Sequence, residues 1–166
     1  MSKVLILLGS HSDLTITEKG QEVLRDFKIP YDLRIASAHR SPAFVEELVK
    51  GFERQGGQVI VCIAGMSAHL AGVVASLTNL PVLAVPVANA ATAGLDALLS
   101  MSQMPAGIPV ATMTLGKAGF TNAAIFAIQV IAAQDKNLSE ELKKYRAQQT
   151  SAVIESDSKN RVIFAG

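Results

Sequence analysis

The chain alternates short, continuously apolar runs with longer segments in which apolar residues recur every three or four positions. Continuous runs of this length are typical of strands buried on both faces of a parallel sheet, and the longer spacing is typical of helices. Five runs predict strands, at residues 3–8, 30–36, 58–64, 81–87 and 109–115. Because each run is followed by a helical pattern, the chain predicts strands joined by right-handed helical crossovers.

The first predicted helix carries Val23, Leu24 and Phe27, and the start of the second is marked by Ser41 followed by Pro42, an N-cap and first-turn signal. The apolar face of the second helix consists of Phe44, Val45, Leu48, Val49 and Phe52. Further helices are predicted at 68–78, 92–103 and about 117–134. The pattern predicts an α/β fold, a single flavodoxin-like three-layer domain with a five-stranded parallel sheet in the order 2-1-3-4-5.

The C-terminal segment differs in composition, since it holds most of the late charge. Its pattern predicts an amphipathic helix with Leu138, Leu142 and Tyr145 along one side. We therefore divide the chain into a domain at residues 1–135 and a helix and tail at residues 136–166. This helix is expected to pack on a neighbouring subunit, and packing on its own domain is the alternative.

Charge and cysteine content narrow the function classes. The chain has 166 residues, with 15 basic and 14 acidic side chains and a net charge of +1, so no nucleic-acid footprint is expected. Its apolar stretches are broken by Gly, Pro, Asn or Thr, and no signal peptide or membrane span is expected. The single cysteine, Cys62, reads as a buried small hydrophobe. A cytoplasmic protein is predicted.

Charged residues are scarce in the second half of the domain. Between Cys62 and Gln134 only Asp96 and Lys117 are charged. A sheet buried on both faces would explain apolar strands, but it would not explain helices with so few charges. The composition therefore favours a homo-oligomer.

All three histidines fall in loops predicted to meet at one edge of the sheet. In open α/β sheets, ligands bind beyond the carboxyl ends of the strands where the strand order reverses, here between strands one and three. His11, His39 and His69 each follow one of the first three strands. Each can also be a structural residue, as Ser12 and Asp13 can be helix N-caps.

Arg40 follows His39 and lies close to predicted helix N-termini, where a cation is disfavoured unless an anion binds there. Imidazole transfers protons near neutral pH, so His39 is a candidate acid or base. Neither G-x-G-x-x-G nor G-x-x-x-x-G-K-[ST] occurs, and neither H-E-x-x-H nor G-x-S-x-G is present. No cofactor and no metal are expected. These residues predict a site for a small phosphorylated or carboxylated metabolite.

Four motifs resemble those of the N5-carboxyaminoimidazole ribonucleotide mutases of purine biosynthesis, the PurE family. GSHSD is similar to the family's G-S-x-S-D, and SAHRSP to its S-A-H-R-T-P. QMPAGIPVAT and GKAGFTNAA resemble two later motifs, in the same order. The resemblance covers residues 4 to 155. It implies that a carboxylate moves from N5 to ring carbon C4 of aminoimidazole ribonucleotide, through release and recapture of CO2, without a cofactor.

The resemblance also implies roles for individual residues. His39 would be the catalytic proton shuttle, Ser10 and Arg40 would hold the ribotide phosphate with help from Ser12, and Asp13 would bind the ribose hydroxyls. The full set of implied substrate-binding residues is Ser10, Ser12, Asp13, Ser37, Arg40, Gly65, Ser67 and His69. The family is octameric, so a homo-octamer with the C-terminal helix reaching across subunits is expected.

The loop after strand three departs from the family's pattern. The chain has IAGMSAHLAG where many mutases have G-A-G-G-A-A-H-L-P-G, so Met66 and Ser67 replace a glycine and an alanine, and Ala71 replaces a proline. This frame resembles the related class that carboxylates aminoimidazole ribonucleotide directly with CO2, whereas His69 and Arg40 resemble the mutase class. Direct carboxylation, and a non-catalytic ribotide-binding module, therefore remain the alternatives.

Overall fold

The computed structural model describes residues 1–164 and contains one five-stranded parallel sheet. The strand order is β2-β1-β3-β4-β5, which confirms the predicted order. The strands are β1 (Val4–Leu8), β2 (Tyr31–Ile35), β3 (Val59–Gly65), β4 (Val82–Val87) and β5 (Ala111–Thr112). Because β1 pairs with both β2 and β3, the reversal of strand order lies between β1 and β3.

The fifth strand is much shorter than the predicted 109–115, and that prediction is wrong in length. β5 lies at the edge of the sheet and pairs only with β4, through two residue pairs. The backbone N–H of Met113 still donates to Ala84, but no ladder continues beyond it. The apolar run therefore predicted where this strand lies in the chain, but it did not predict the length of the strand.

Residues 1–164 contain six α-helices, and their positions agree with the predicted helices. They are α1 (Glu18–Asp26), α2 (Pro42–Arg54), α3 (Leu70–Leu77), α4 (Leu95–Ser102), α5 (Gly116–Ala132) and α6 (Lys136–Asn160). The pattern did not predict the short 3-10 helix at His11–Ile16 that follows β1. This helix gives the first loop of the candidate site a fixed backbone.

The hydrophobic core forms two layers, one on each face of the sheet. Alternate residues of β1 enter different layers, with Ile6 on the side of α1 and α5 and Leu7 on the side of α2, α3 and α4. Cys62 in β3 is fully buried in the second layer, and burial raises the pKa of its thiol. This confirms the three-layer arrangement and the interpretation of Cys62 as a core residue.

Helices α1 and α5 cross closely at Gly20. A methyl group placed on Gly20 would lie 2.4 Å from the ring of Phe120, which is fully buried. Such a separation is far inside van der Waals contact, so only glycine fits without movement of the ring. The contact fixes the helix layer that supports the loop after β1.

Helix α6 packs on its own domain at its beginning only. Leu138 and Leu142 are buried, and the ring of Tyr145 meets that of Phe27 edge to face at 5.5 Å. The rest of α6, residues 146–160, is exposed along its whole length. Two apolar side chains, Val153 and Ile154, lie in this exposed part. The first half therefore follows the own-domain alternative, and packing of the second half on another subunit stays a prediction. Residues 165 and 166 of the predicted tail lie outside the described residues.

Apolar side chains are also exposed in the charge-poor half of the domain. Leu95 and Leu99 lie one turn apart on α4, and Phe126 is partly exposed on α5. Within residues 1–164, none of the helices combines the length and the apolar character needed to cross a membrane. The homo-oligomer that the composition favours stays a prediction.

Candidate active site

Three loops meet at the carboxyl edge of the sheet, where the sequence placed the ligand site. Leu8 of β1 is in register with Ile35 of β2 and Ile63 of β3. The N–H of Gly9 donates to Ile63 at 2.8 Å, and the N–H of Ala36 donates to Leu8 at 2.9 Å. The chain segments that leave these three strands are therefore neighbours from their first residue.

His39 and His69 come from two of these loops and contact each other directly. His39 Nε2 lies 2.9 Å from His69 Nδ1, and the two rings stand edge to face at 5.0 Å. Both side chains are exposed. Among the described residues, no hydrogen bond joins His11 to this pair. The structure thus brings together two of the three histidines that the sequence placed at this edge.

The contact between His39 and His69 requires one ring nitrogen to donate and the other to accept. When His39 Nε2 carries the proton, its Nδ1 is free to accept one; when His69 Nδ1 carries it, His39 Nδ1 is itself a donor. A change of protonation at His39 can thus be accompanied by a shift of the shared proton. The pair is suited to proton transfer in either direction.

Ser10, Ser12 and Asp13 form a compact polar group at the start of the 3-10 helix. The N–H of Ser10 donates to the Asp13 carboxylate at 3.1 Å, and the hydroxyl of Ser10 accepts from the N–H of Ser12 at 3.3 Å, as in a capping box. The Ser12 hydroxyl lies within hydrogen-bond distance of both neighbours. Asp13 therefore has the capping role that its type suggested, while the Ser10 hydroxyl keeps its own proton for a ligand.

Asp13 is the buried charged side chain of this group, with 7% of its surface exposed. Loss of hydration raises the pKa of the Asp13 carboxyl, although hydrogen bonds from Ser12 and Ser10 act in the opposite direction. The Asp13 carboxylate is held by the Ser10 N–H and the Ser12 hydroxyl, and burial removes much of its contact with water. It is therefore a suitable acceptor for ligand hydroxyl groups.

Arg40 and Ser37 lie in the loop after β2. The Arg40 guanidinium reaches back to the first loop, where Nη2 lies 3.5 Å from the carbonyl oxygen of Gly9. The hydroxyl of Ser37 accepts from the N–H of Arg40 at 3.3 Å. Ser41 begins α2 as predicted, but its hydroxyl donates to the carbonyl of Ser37 and makes no cap bond to the helix. Arg40 therefore places a cation against Gly9, the residue that precedes Ser10.

The loop after β3 carries Gly65, Met66, Ser67 and His69. A methyl group on Gly65 would approach the carbonyl oxygen of Val87 to 3.1 Å, so the end of β3 lies close against β4. The N–H of His69 donates to the carbonyl of Ser67 at 2.8 Å. Met66 adopts φ 58°, in the left-handed region, which the sequence did not indicate because methionine, unlike glycine or asparagine, does not favour such a position.

A recess of about 430 Å³ lies at the opposite end of the sheet, between the ends of α2 and α3. Two of its charged groups serve the fold. Lys50 donates to the carbonyl of Leu77, and Glu53 accepts from the hydroxyl of Thr78. Within the described part of the chain, no three His, Cys, Asp or Glu side chains are grouped as metal ligands would be. The edge that carries His39 and His69 is therefore the candidate active site.

Comparison with known proteins gives agreement over nearly the whole chain. The profile of the AIR carboxylase family matches residues 3–152. The N5-carboxyaminoimidazole ribonucleotide mutase of Methanocaldococcus jannaschii is 47% identical over 161 residues, covering 97% of this chain and 99% of that protein. The mutase of the same name from Pyrococcus abyssi is 45% identical over 146 residues, covering 88% and 83%.

The fold also agrees with that of a solved structure. The crystal structure of Treponema denticola PurE gives a TM-score of 0.87 at 32% identity, covering 96% of this chain and 98% of that one. Three findings indicate the same family: the match to the family profile, the identity to the relatives and the shared fold. The chain belongs to the AIR carboxylase family.

Proposed function

We propose that this protein is an N5-carboxyaminoimidazole ribonucleotide mutase, which moves the carboxylate from N5 to C4 of the ribotide in purine biosynthesis. The function rests on two relatives of that name, which are 47% and 45% identical to this chain over 99% and 83% of their own lengths. The observation that carries the mechanism is the 2.9 Å contact between His39 and His69 beside Arg40 and Ser10. It combines a proton-transfer group with an anion site.

The phosphate of the ribotide binds to Arg40 and Ser10, with Ser12 contributing a hydroxyl. A guanidinium and a hydroxyl donor suit phosphate oxygens, and the reach of Arg40 to Gly9 supports a shared position for these groups. Asp13 accepts hydrogen bonds from the ribose hydroxyls. Burial of this carboxyl raises its pKa, and hydrogen bonds donated by ligand hydroxyl groups would favour its charged form. Ser37 supports the position of Arg40 through its hydroxyl.

His39 moves the proton that the reaction requires. In the first step the bond between N5 and the carboxylate carbon breaks, its electron pair stays on N5, and N5 takes a proton from His39 as CO2 leaves. In the second step C4 attacks CO2, a carbon–carbon bond forms, and the C4 proton passes to His39. The protonation state of the enzyme is thus restored, and no co-reactant is consumed. General acid–base catalysis of this kind typically contributes about 10²- to 10⁴-fold.

The loop of Gly65, Ser67 and His69 holds the reacting end of the substrate. His69 keeps the ring of His39 in position through their contact. Ser67 offers an exposed hydroxyl within the same loop for the carboxylate. Because positioning lowers the barrier here, these groups act by orienting the CO2 and the ring toward each other.

Direct carboxylation of aminoimidazole ribonucleotide by CO2 is the second candidate function, and the observation that favours it is the Met66–Ser67 pair in the loop after β3. The two functions differ in the substrate that is consumed. Labelled N5-carboxyaminoimidazole ribonucleotide tests the mutase, and aminoimidazole ribonucleotide with labelled CO2 tests the carboxylase. Turnover of neither would leave a non-catalytic ribotide-binding module.

Replacement of His39 tests the mechanism. The variant His39→Asn is expected to lose turnover by about 10²- to 10⁴-fold while ribotide affinity stays within a few-fold of wild type, because the phosphate and ribose contacts lie elsewhere. His11→Asn is the matched control, since His11 lies at the same edge outside the pair. Steady-state kinetics and titration calorimetry measure the two effects. Turnover of His39→Asn at the wild-type rate would contradict the proton role.

The oligomeric state and the compartment belong to the same proposal. A homo-octamer is supported by the exposed Leu95, Leu99 and Phe126 and by the exposed half of α6. A cytoplasmic location is consistent with a buried, unpaired Cys62. Light scattering on the purified protein would measure the number of subunits.

A further inference from the structure

Met66 combines two features that its own chain does not explain. Its backbone has φ 58°, a conformation that a non-glycine residue adopts only at an energetic cost. Its side chain is 69% exposed, so packing within the chain does little to offset that cost. Both features occur between Gly65 and Ser67, in the loop that carries His69.

Lys28 has the same backbone conformation for an evident reason, which makes it a useful comparison. It follows α1 with φ 55°, and its N–H donates to Arg25 while the next N–H, of Ile29, donates to Leu24. This is the usual left-handed end of a helix. Met66 follows a strand, so no helix end requires its conformation.

We propose, on the basis of the mutase function above, that Met66 covers the reacting end of the bound ribotide and keeps the released CO2 from exchanging with solvent. Methionine is apolar, unbranched and flexible, and it can therefore close over a ligand of irregular shape. CO2 is apolar and small, and it is lost by diffusion or by hydration to bicarbonate. The apolar side chain of Met66 excludes the water that would promote both losses.

The covering role concerns one interval of the reaction. After the bond from N5 to the carboxylate carbon breaks, CO2 is free until the bond to C4 forms. A side chain that slows escape of CO2 in this interval does not alter the proton balance at His39. Met66 therefore determines which CO2 is recaptured, and its effect is separable from that of the catalytic histidine.

Retention of label measures this effect. Substrate labelled in its carboxylate is converted in the presence of excess unlabelled CO2 and carbonic anhydrase, and the labelled fraction of the product is determined. Met66→Gly, which removes the side chain and suits the positive φ, is expected to increase label loss several-fold over wild type. Met66→Leu keeps an apolar side chain of similar volume and is expected to retain label nearly as wild type does.

Lys28→Gly is the matched control, because it relieves the same backbone conformation at the other edge of the sheet. It is expected to leave label retention unchanged. If Met66→Gly turns over and retains label as wild type does, the covering role is wrong, while the mutase function stands. If wild type does not convert the substrate at all, the mutase function itself is wrong.

Oxidation of Met66 gives a readout that does not depend on turnover. Dilute hydrogen peroxide converts exposed methionines to sulfoxides, which peptide mass spectrometry detects. Aminoimidazole ribonucleotide is expected to slow oxidation of Met66 several-fold and to leave oxidation of Met1, which is 96% exposed, unchanged. Equal oxidation of Met66 with and without the ribotide would contradict the proposal. Oxidation of Met66 that is already much slower than that of Met1 in the ligand-free protein would contradict it as well.

Discussion

Asp13 shows how one side chain can support the fold and oppose it at the same time. Its carboxylate completes the capping box with Ser10, but burial raises its pKa. A carboxyl group whose pKa is raised in the folded state binds its proton more tightly there than in the unfolded chain. Its stabilising contribution is therefore present at low pH and is lost as the pH rises through the folded pKa.

The variant Asp13→Asn tests this balance. Asparagine keeps a side-chain oxygen for the N–H of Ser10 and carries no charge to desolvate. We expect its free energy of unfolding, relative to wild type, to increase as the pH rises from about 3 to about 7. Its KM for the ribotide is expected to rise roughly 10- to 100-fold, through loss of charge-assisted hydrogen bonds worth about 1.5–3 kcal/mol. Denaturation at several pH values and steady-state kinetics measure the two effects.

Asp96→Asn is the control of opposite sign. Hydrogen bonds from Thr92, the Ala97 backbone and Asn89 hold the pKa of Asp96 below its usual value. Asp96 therefore stabilises the fold above the pKa that it has in the unfolded chain, and this stabilisation is lost as the pH falls. The relative stability of Asp96→Asn should decrease as the pH rises. The same direction of change in both variants would contradict the role assigned to burial at Asp13.

The crossing of α1 and α5 at Gly20 provides a test of packing between helices. Gly20→Ala places a methyl group 2.4 Å from the Phe120 ring, and we expect it to lower the free energy of unfolding by about 1–3 kcal/mol. For a chain of this size, the melting temperature should fall by roughly 2–10 °C. Calorimetry or circular dichroism measures the change.

Gly51→Ala is the matched helical control for this prediction. Gly51 lies in α2, and a methyl group there would have no neighbouring atom within 4 Å. Alanine is the better helix former, so Gly51→Ala should raise the free energy of unfolding by about 0.5–1 kcal/mol. If both alanine variants changed stability in the same direction, helix propensity rather than the contact with Phe120 would govern Gly20.

The strands, their order and all six helices could be predicted because they follow from local periodicity and from the rules of parallel sheets. Two parts of the site could not. The contact between His39 and His69 depends on the separation of two loops, which no spacing along the chain encodes. The conformation of Met66 carries no glycine signal. The short 3-10 helix was missed because its start is marked only by the Ser10–Asp13 capping pair.

The exposed half of α6 is expected to act between subunits. Residues 146–160 carry the exposed Val153 and Ile154, whereas the buried contacts of this helix lie at Leu138 and Leu142. Changing both Val153 and Ile154 to aspartate should reduce the subunit number and leave the secondary structure of the domain intact. Light scattering and circular dichroism measure these outcomes.

One aspartate at a polar position of the same helix serves as the control for this variant. Ser151→Asp adds charge to the same exposed half without removing an apolar side chain. It should leave the subunit number unchanged. An unchanged subunit number in the Val153 and Ile154 variant would contradict the role of the exposed half of α6 between subunits.

The burial of Cys62 has a practical consequence for following this protein in solution. Cys62 is the single cysteine of the sequence, and its side chain is enclosed in the central strand β3 with a thiol of raised pKa. Maleimide reagents attack thiolates, so the native chain should behave as though it had no cysteine. A cysteine introduced at Ser151 would then take a single fluorophore or spin label per subunit. Distances between such probes would report how the copies of the chain are arranged.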